Sequence, residues 1–138
     1  MSSLYDRDFY QWTRITSAAL RTGQIAEVDL EQVAEEIEDI GKRDLRELNS
    51  RLRQTLEHML KLRLIRAEVR NLNERGWRAS ITRQQPEIRT LLMQSPSLGS
   101  RIPELLLPAY CDAARVVEAD FGVSAPAECP FSIEEIIG

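Results

Sequence analysis

No proline interrupts the stretch from Asp29 to Leu64, DLEQVAEEIEDIGKRDLRELNSRLRQTLEHMLKLRL, and its apolar residues return at steps of three and four. Such a segment leaves one economical solution, a long amphipathic helix with a single apolar stripe. At about 100° per residue, Leu30, Val33, Ala34, Ile37, Ile40 and Gly41 fall on one side, and Leu45, Leu48, Leu52, Leu56 and Met59 continue the stripe. Asp29, three residues before Gln32, has the spacing of a capping box, in which the carboxylate accepts a backbone N–H and the amide reaches back. Gly41 is the weak point, because an interior glycine costs about 1 kcal/mol relative to alanine. It marks either a break or a close approach of another backbone, and the second is the reading adopted.

The remaining segments read as helices too. Phe9, Trp12, Ile15, Thr16, Ala19 and Leu20 share a helical face, with Asp6 or Asp8 as opener and Gly23 as C-cap, which predicts a helix over 7–22. The linker TGQIAEV leads to the long helix, expected to fray near Arg66 to Asn71, and NLNERGW is read as punctuation. In the next helix Trp77, Ile81, Ile88, Leu91 and Leu92 share a face, and Pro86 is expected to kink it without abolishing it. SPSLGSR is a turn by composition, followed by a stripe of Ile102, Leu105, Leu106, Ala109, Ala113, Val116 and Val117 that ends at Gly122. Pro103 suits a first turn, whereas Pro108 places the start of regular helix nearer itself. Asp120 lies on the stripe side of the last turn and is read as structural. Ser132 and Glu135 form a capping box for a short terminal helix, Ile133 to Ile137. With no apolar run of period two and no Asn-Gly or Asp-Gly turn, the fold class is all-α. The expected architecture is a four-helix, bundle-like single domain over 1–138, with a long central helix and a short C-terminal helical flap.

Composition supports one globular domain: 138 residues, 43% hydrophobic and 29% charged, values that suggest neither disorder nor a membrane span. The N-terminus MSSLYDRDFY carries no basic-then-apolar leader, and no apolar run nears the roughly 20 residues a spanning helix needs. A cytoplasmic protein is expected. Cys111 and Cys129 have no close spacing and a single histidine for company, so free thiols are expected rather than a zinc site. Cys111 projects away from its helix's stripe, and without a basic neighbour it is not read as a nucleophile.

Charge is distributed unevenly. Residues 27–39 hold seven acids and no base, whereas residues 42–89 hold thirteen Lys or Arg against six Asp or Glu. Sixteen arginines against two lysines fit bidentate recognition of carboxylate or phosphate, but a genome-wide base-composition bias is the simpler cause. Glu36 and Glu38 flank the apolar stripe, while Glu35 and Asp39 point nearly opposite to it. This acidic run is read as an inter-helix ion-pair network that fixes register and neutralises the basic surplus, ahead of a partner-binding face.

A di-metal site of inward carboxylates with a Glu-x-x-His pair is the sharper alternative for a helical bundle. The spacing opposes it: Thr55, Gln54, Lys61 and Leu62 occupy the positions three and four from His58. In a continuous helix Glu36 and His58 lie about 33 Å apart, at ~1.5 Å per residue. No metal, cofactor or catalytic residue is assigned. Trp12 and Trp77 are read as core anchors, and DFYQW as the apolar face of the first helix. The candidate interaction face comprises Glu35, Glu36, Glu38, Asp39, His58, Lys61 and Arg78.

These pieces together resemble one family. DFYQW (8–12), DLEQVAEEIEDIGK (29–42), LEHMLK (56–61), WRASI (77–81), SPSL (95–98), YCDAA (110–114) and CPFSIEEII (129–137) are similar to the bacterial proteins grouped as domain of unknown function twenty-nine. The resemblance spans nearly the whole chain and implies an all-helical fold and a prokaryotic source, without an activity. The function expected is a non-enzymatic protein-interaction module, antitoxin-like or adaptor, binding another protein or itself. Nucleic-acid binding through the basic stretch is the alternative, disfavoured by a pI near 5.1. A metal-dependent enzyme at a dimer interface comes last.

Overall fold

The computed structural model describes residues 3–138 and is helical throughout, with no strand among them. The helices are α1 (Leu4–Arg7), α2 (Phe9–Arg21), α3 (Leu30–Leu64), α4 (Ala67–Gln94), α5 (Ile102–Phe121) and α6 (Ile133–Ile137), with 3-10 turns at Ile25–Glu27 and Pro96–Arg101. The chain groups into two compact units that meet within α3, one ending at Lys42 and the other running from Arg43 to Gly138. None of the helices is long and apolar enough to cross a membrane among the described residues.

In the first unit Asp8 ends α1 and opens α2, its carboxylate accepting from Gln11 N at 3.0 Å, so the helix expected over 7–22 is α2, and the short α1 before it is an addition. Gly23, at φ 78°, closes α2: Gln24 N donates to Ala19 O (2.9 Å) and Gly23 N to Leu20 O (3.3 Å), the paired bonds of a Schellman cap. Asp29 caps α3 by accepting from Glu31 N and Gln32 N at 3.1 and 3.3 Å. A return bond from the Gln32 amide is not formed among the described residues. Tyr5, Phe9 and Trp12 build an aromatic cluster with ring centroids 4.8 to 5.7 Å apart, and the Tyr5 hydroxyl donates to Glu36 Oε1.

The second unit is a bundle of the rest of α3 with α4, α5 and α6. Leu48, Leu52, Leu56 and Leu60 of α3 are fully buried, against Trp77, Ile88 and Leu91 of α4, Ala109, Tyr110, Ala113 and Val117 of α5, and Ile136 of α6. Each such aliphatic side chain contributes about 1.5–3 kcal/mol by leaving water. Thr55, also fully buried, satisfies its hydroxyl by donating to Arg51 O at 2.8 Å. The terminal helix is therefore a packed member of the bundle, not a flap. It has the full capping box, Glu135 N to Ser132 Oγ and Ser132 N to Glu135 Oε1. At its other end Gln85 donates to the carbonyls of Glu135 and Ile136, and Arg89 to those of Ile137 and Gly138.

Several boundaries differ from expectation. The α3 helix runs through Gly41 unbroken, and a Cβ built there meets nothing within 4 Å, so neither a break nor a close approach explains this glycine. The α4 helix starts at Ala67 and passes through NLNERGW, including Gly76, so the expected frayed linker shrinks to Ile65 and Arg66. Ile65, 5% exposed, and Trp77, 8% exposed, anchor this stretch, and packing overrides the weak propensity of its Asn and Gly residues. Pro86 sits inside α4, as expected. Pro108 sits inside α5, which begins at Ile102. The carbonyl it deprives of a donor belongs to Glu104, an exposed residue.

Candidate functional site

The seven residues of the expected interaction face fall in different units: Glu35, Glu36, Glu38 and Asp39 in the first, and His58, Lys61 and Arg78 in the second. The ion pairs among the described residues are Arg51 with Glu47 and Glu87, Lys61 with Glu57, Arg78 with Glu74, and Arg101 with Glu104. None uses the acidic run. Within the unit that carries it, the acidic run forms no ion pair among the described residues. Of the thirteen bases in 42–89, only Arg51, Lys61 and Arg78 have carboxylate partners among the described residues. Register between α3 and α4 is held instead by Arg51 Nη1 on Gln84 Oε1 (3.0 Å) and Gln84 Nε2 on Gln54 Oε1 (2.7 Å).

Glu36 alone of the four acids is half-buried, and its partner is neutral: it accepts from Tyr5. That hydrogen bond, with desolvation and the neighbouring charges of Glu36, Glu35 and Asp39, pushes the Tyr5 phenol from 10.0 up to about 12. The side of α3 that carries Leu30, Ile37 and Ile40 is open to solvent at 56%, 64% and 55%. Those residues were expected to be core; two helices alone cannot cover both sides of this stretch. Between α2 and α3, Trp12, Thr16, Leu20, Val33 and Ile37 line a shallow cavity of about 180 Å³. Phe9, Ile15 and Leu20 of α2 are likewise exposed.

His58 is half-buried in the α3/α4 contact. Its Nδ1 lies 2.8 Å from Gln54 O and 3.4 Å from Ser80 Oγ. A carbonyl only accepts, so Nδ1 carries the proton and has no lone pair with which to take one from Ser80. The pair is thus a structural tie, not a nucleophile with its base. Lys61 is equally committed: its ammonium is 3.2 Å from Glu57 and 5.9 Å from the ring centroids of both Trp77 and Phe121. Among the described residues no three of His, Cys, Asp and Glu converge as metal ligands would.

Arg78 of α4 is exposed, whereas its sequence neighbour Trp77 is buried. Arg78 borders a groove of about 380 Å³ lined by Met59, Leu62 and Arg63 of α3, Ile81 of α4, and Phe131 of the segment before α6. Sequence reasoning missed Arg63 and Phe131 because no helical projection relates a residue in α3 to one in a loop far along the chain. The only signal available was the arginine surplus.

The family model described as Domain of unknown function DUF29 matches residues 4–138. No curated protein and no solved structure matches the chain.

Proposed function

We propose that this chain, which belongs to the DUF29 domain family, is a non-enzymatic protein-interaction module, adaptor-like or antitoxin-like, working in the cytoplasm. The observation that supports this is the solvent-facing Leu30, Ile37 and Ile40 of α3, flanked on the helix by Glu36 and Glu38. Exposed apolar residues scattered singly are ordinary; a helical row of them rimmed by one sign of charge is the form of a helix-docking surface. The acidic rim selects a basic partner and discourages self-pairing through this face, since like charges would oppose one another.

The test uses the full chain as a crosslinkable bait, followed by reconstitution of the identified partner from purified components. Ile37→Asp with Ile40→Asp, at positions 64% and 55% exposed, should leave the circular dichroism spectrum intact and weaken the reconstituted complex at least tenfold. A complex indifferent to both substitutions would refute the assignment of this face.

A second reading, nucleic-acid binding, is favoured by the ten bases of 42–89 that have no carboxylate partner among the described residues. Titration of labelled duplex at two salt concentrations separates it, because each phosphate neutralised adds about −0.9 to the log–log slope.

A further inference from the structure

A groove apart from the apolar face of Leu30, Ile37 and Ile40 lies wholly in the unit from Arg43 onward. It is the groove between α3 and α4. Met59, Leu62 and Ile81 form its floor, half-buried side chains that the bundle core leaves partly uncovered, and Phe131 forms one wall. Arg63 and Arg78 stand on its rim, both exposed.

The two guanidinium groups differ in how they are held. Arg78 is fixed along its own helix by Glu74, with Nε at 3.0 Å and Nη2 at 2.7 Å from the same carboxylate oxygen. It keeps Nη1 for another acceptor. Arg63 has no carboxylate partner among the described residues; its guanidinium carbon rests 5.6 Å from the Phe131 ring centroid. Stacking on an aromatic face leaves the in-plane N–H donors of an arginine directed outward. The groove thus offers an apolar floor and two donor forks at its edge.

We infer that this groove docks an acidic amphipathic helix of a partner protein, apolar residues on the floor and carboxylates on Arg63 and Arg78. Three features select that occupant. The groove is open to solvent along α3 and α4, so a small molecule would stay largely exposed where ligand sites usually cover 70–90% of their guest. Its floor is apolar, which gives a phosphate backbone nothing to cover, whereas a helix spends one face on such a floor through residues at i, i+3 or i+4, and i+7. Its charge is positive within a stretch that holds a surplus of seven bases, so the complementary rim is carboxylate. Met59 adds tolerance, since an unbranched thioether adapts to different apolar knobs.

The probe is a fluorescein-labelled synthetic helix of roughly five turns, with leucines at i, i+4, i+7 and i+11 and glutamates flanking them. The controls are a scrambled isomer and a version with arginine for every glutamate. Binding to the full chain is read by anisotropy. The acidic helix should bind at least tenfold more tightly than the scrambled isomer. Arg63→Glu with Arg78→Glu should remove that preference and transfer it to the arginine version, while Arg63→Lys with Arg78→Lys should keep most of it. Both arginines are exposed, so unchanged helicity and thermal midpoint identify a surface effect, and the gained affinity of the reversed variant for the basic helix cannot come from a misfolded protein. Equal binding of acidic and scrambled helices, or indifference to the reversal, would overturn the inference. So would duplex DNA that displaces the helix with a steep salt dependence, which assigns the groove to nucleic acid. Concentration-dependent self-association in sedimentation, lost in the reversed variant, would overturn the separate partner in favour of a second copy.

Discussion

Ile136 and Ile40 are the same residue on apolar helix faces, and their truncation to alanine should have very unequal consequences. Ile→Ala removes three carbons. At about 0.8 kcal/mol per buried methylene the transfer loss at Ile136, 1% exposed, is roughly 2.4 kcal/mol. The cavity left between α4 and α6 raises it to about 3 kcal/mol, within the usual range for buried aliphatics. At Ile40, 55% exposed, less than half of that transfer term exists, about 1 kcal/mol at most. Part of it is returned by the better helix propensity of alanine, so the net change should be within about 0.5 kcal/mol. Urea unfolding followed by circular dichroism reads both. With a slope of about 1–3 kcal/mol per molar, Ile136→Ala should lower the midpoint by roughly 1–3 M, and Ile40→Ala should barely move it. Equal shifts would refute the burial assignments. An unmoved midpoint for Ile136→Ala would show that α6 detaches before the bundle melts and is no part of its core.

Gly41→Ala should stabilise the protein by about 1 kcal/mol, because α3 is continuous there and the new methyl meets open space, whereas Gly122→Ala, at φ 65°, should destabilise it; thermal midpoints check both signs. Arg89→Ala should cost about 1 kcal/mol and speed amide exchange in α6, since it removes the donor on the carbonyls of Ile137 and Gly138. The Tyr5 phenol should titrate near about 12 by absorbance, and Glu36→Gln should return it toward 10.0. Because the folded form holds this proton more tightly, the contribution of the Tyr5–Glu36 bond is whole below pH 10.0 and fades as pH rises toward about 12. Loss of that contribution at acidic pH with no change between 10 and 12 would contradict the assignment of the shift.

What the sequence by itself determined about this protein is whatever depends on neighbours within a turn or two. The period near 3.6 and the absence of alternation gave the all-α class. Asp8, Asp29 and Ser132 marked helix starts, and Gly23 and Gly122 marked ends, because caps are satisfied by side chains and backbone groups two to five residues away. Gly76 and Pro108 misled because propensity is worth at most a few kcal/mol and the anchoring of Ile65, Trp77 and Ile102 outweighs it. Only the tertiary structure decided which part of the α3 stripe is core. Ile37 and Leu52 look alike on a helical projection, but Leu52 is fully buried in a core it shares with α4 and α5 whereas Ile37 is 64% exposed, and burial depends on what comes back across the chain. Tyr110 shows the converse: it is off the stripe read from α5, yet fully buried, since the 122–132 segment covers it and Pro126 O accepts its hydroxyl at 2.5 Å. The groove of Arg63, Arg78 and Phe131 is of the same kind. Three segments distant in sequence meet only because the core residues beneath them pack, and no local pattern records that meeting.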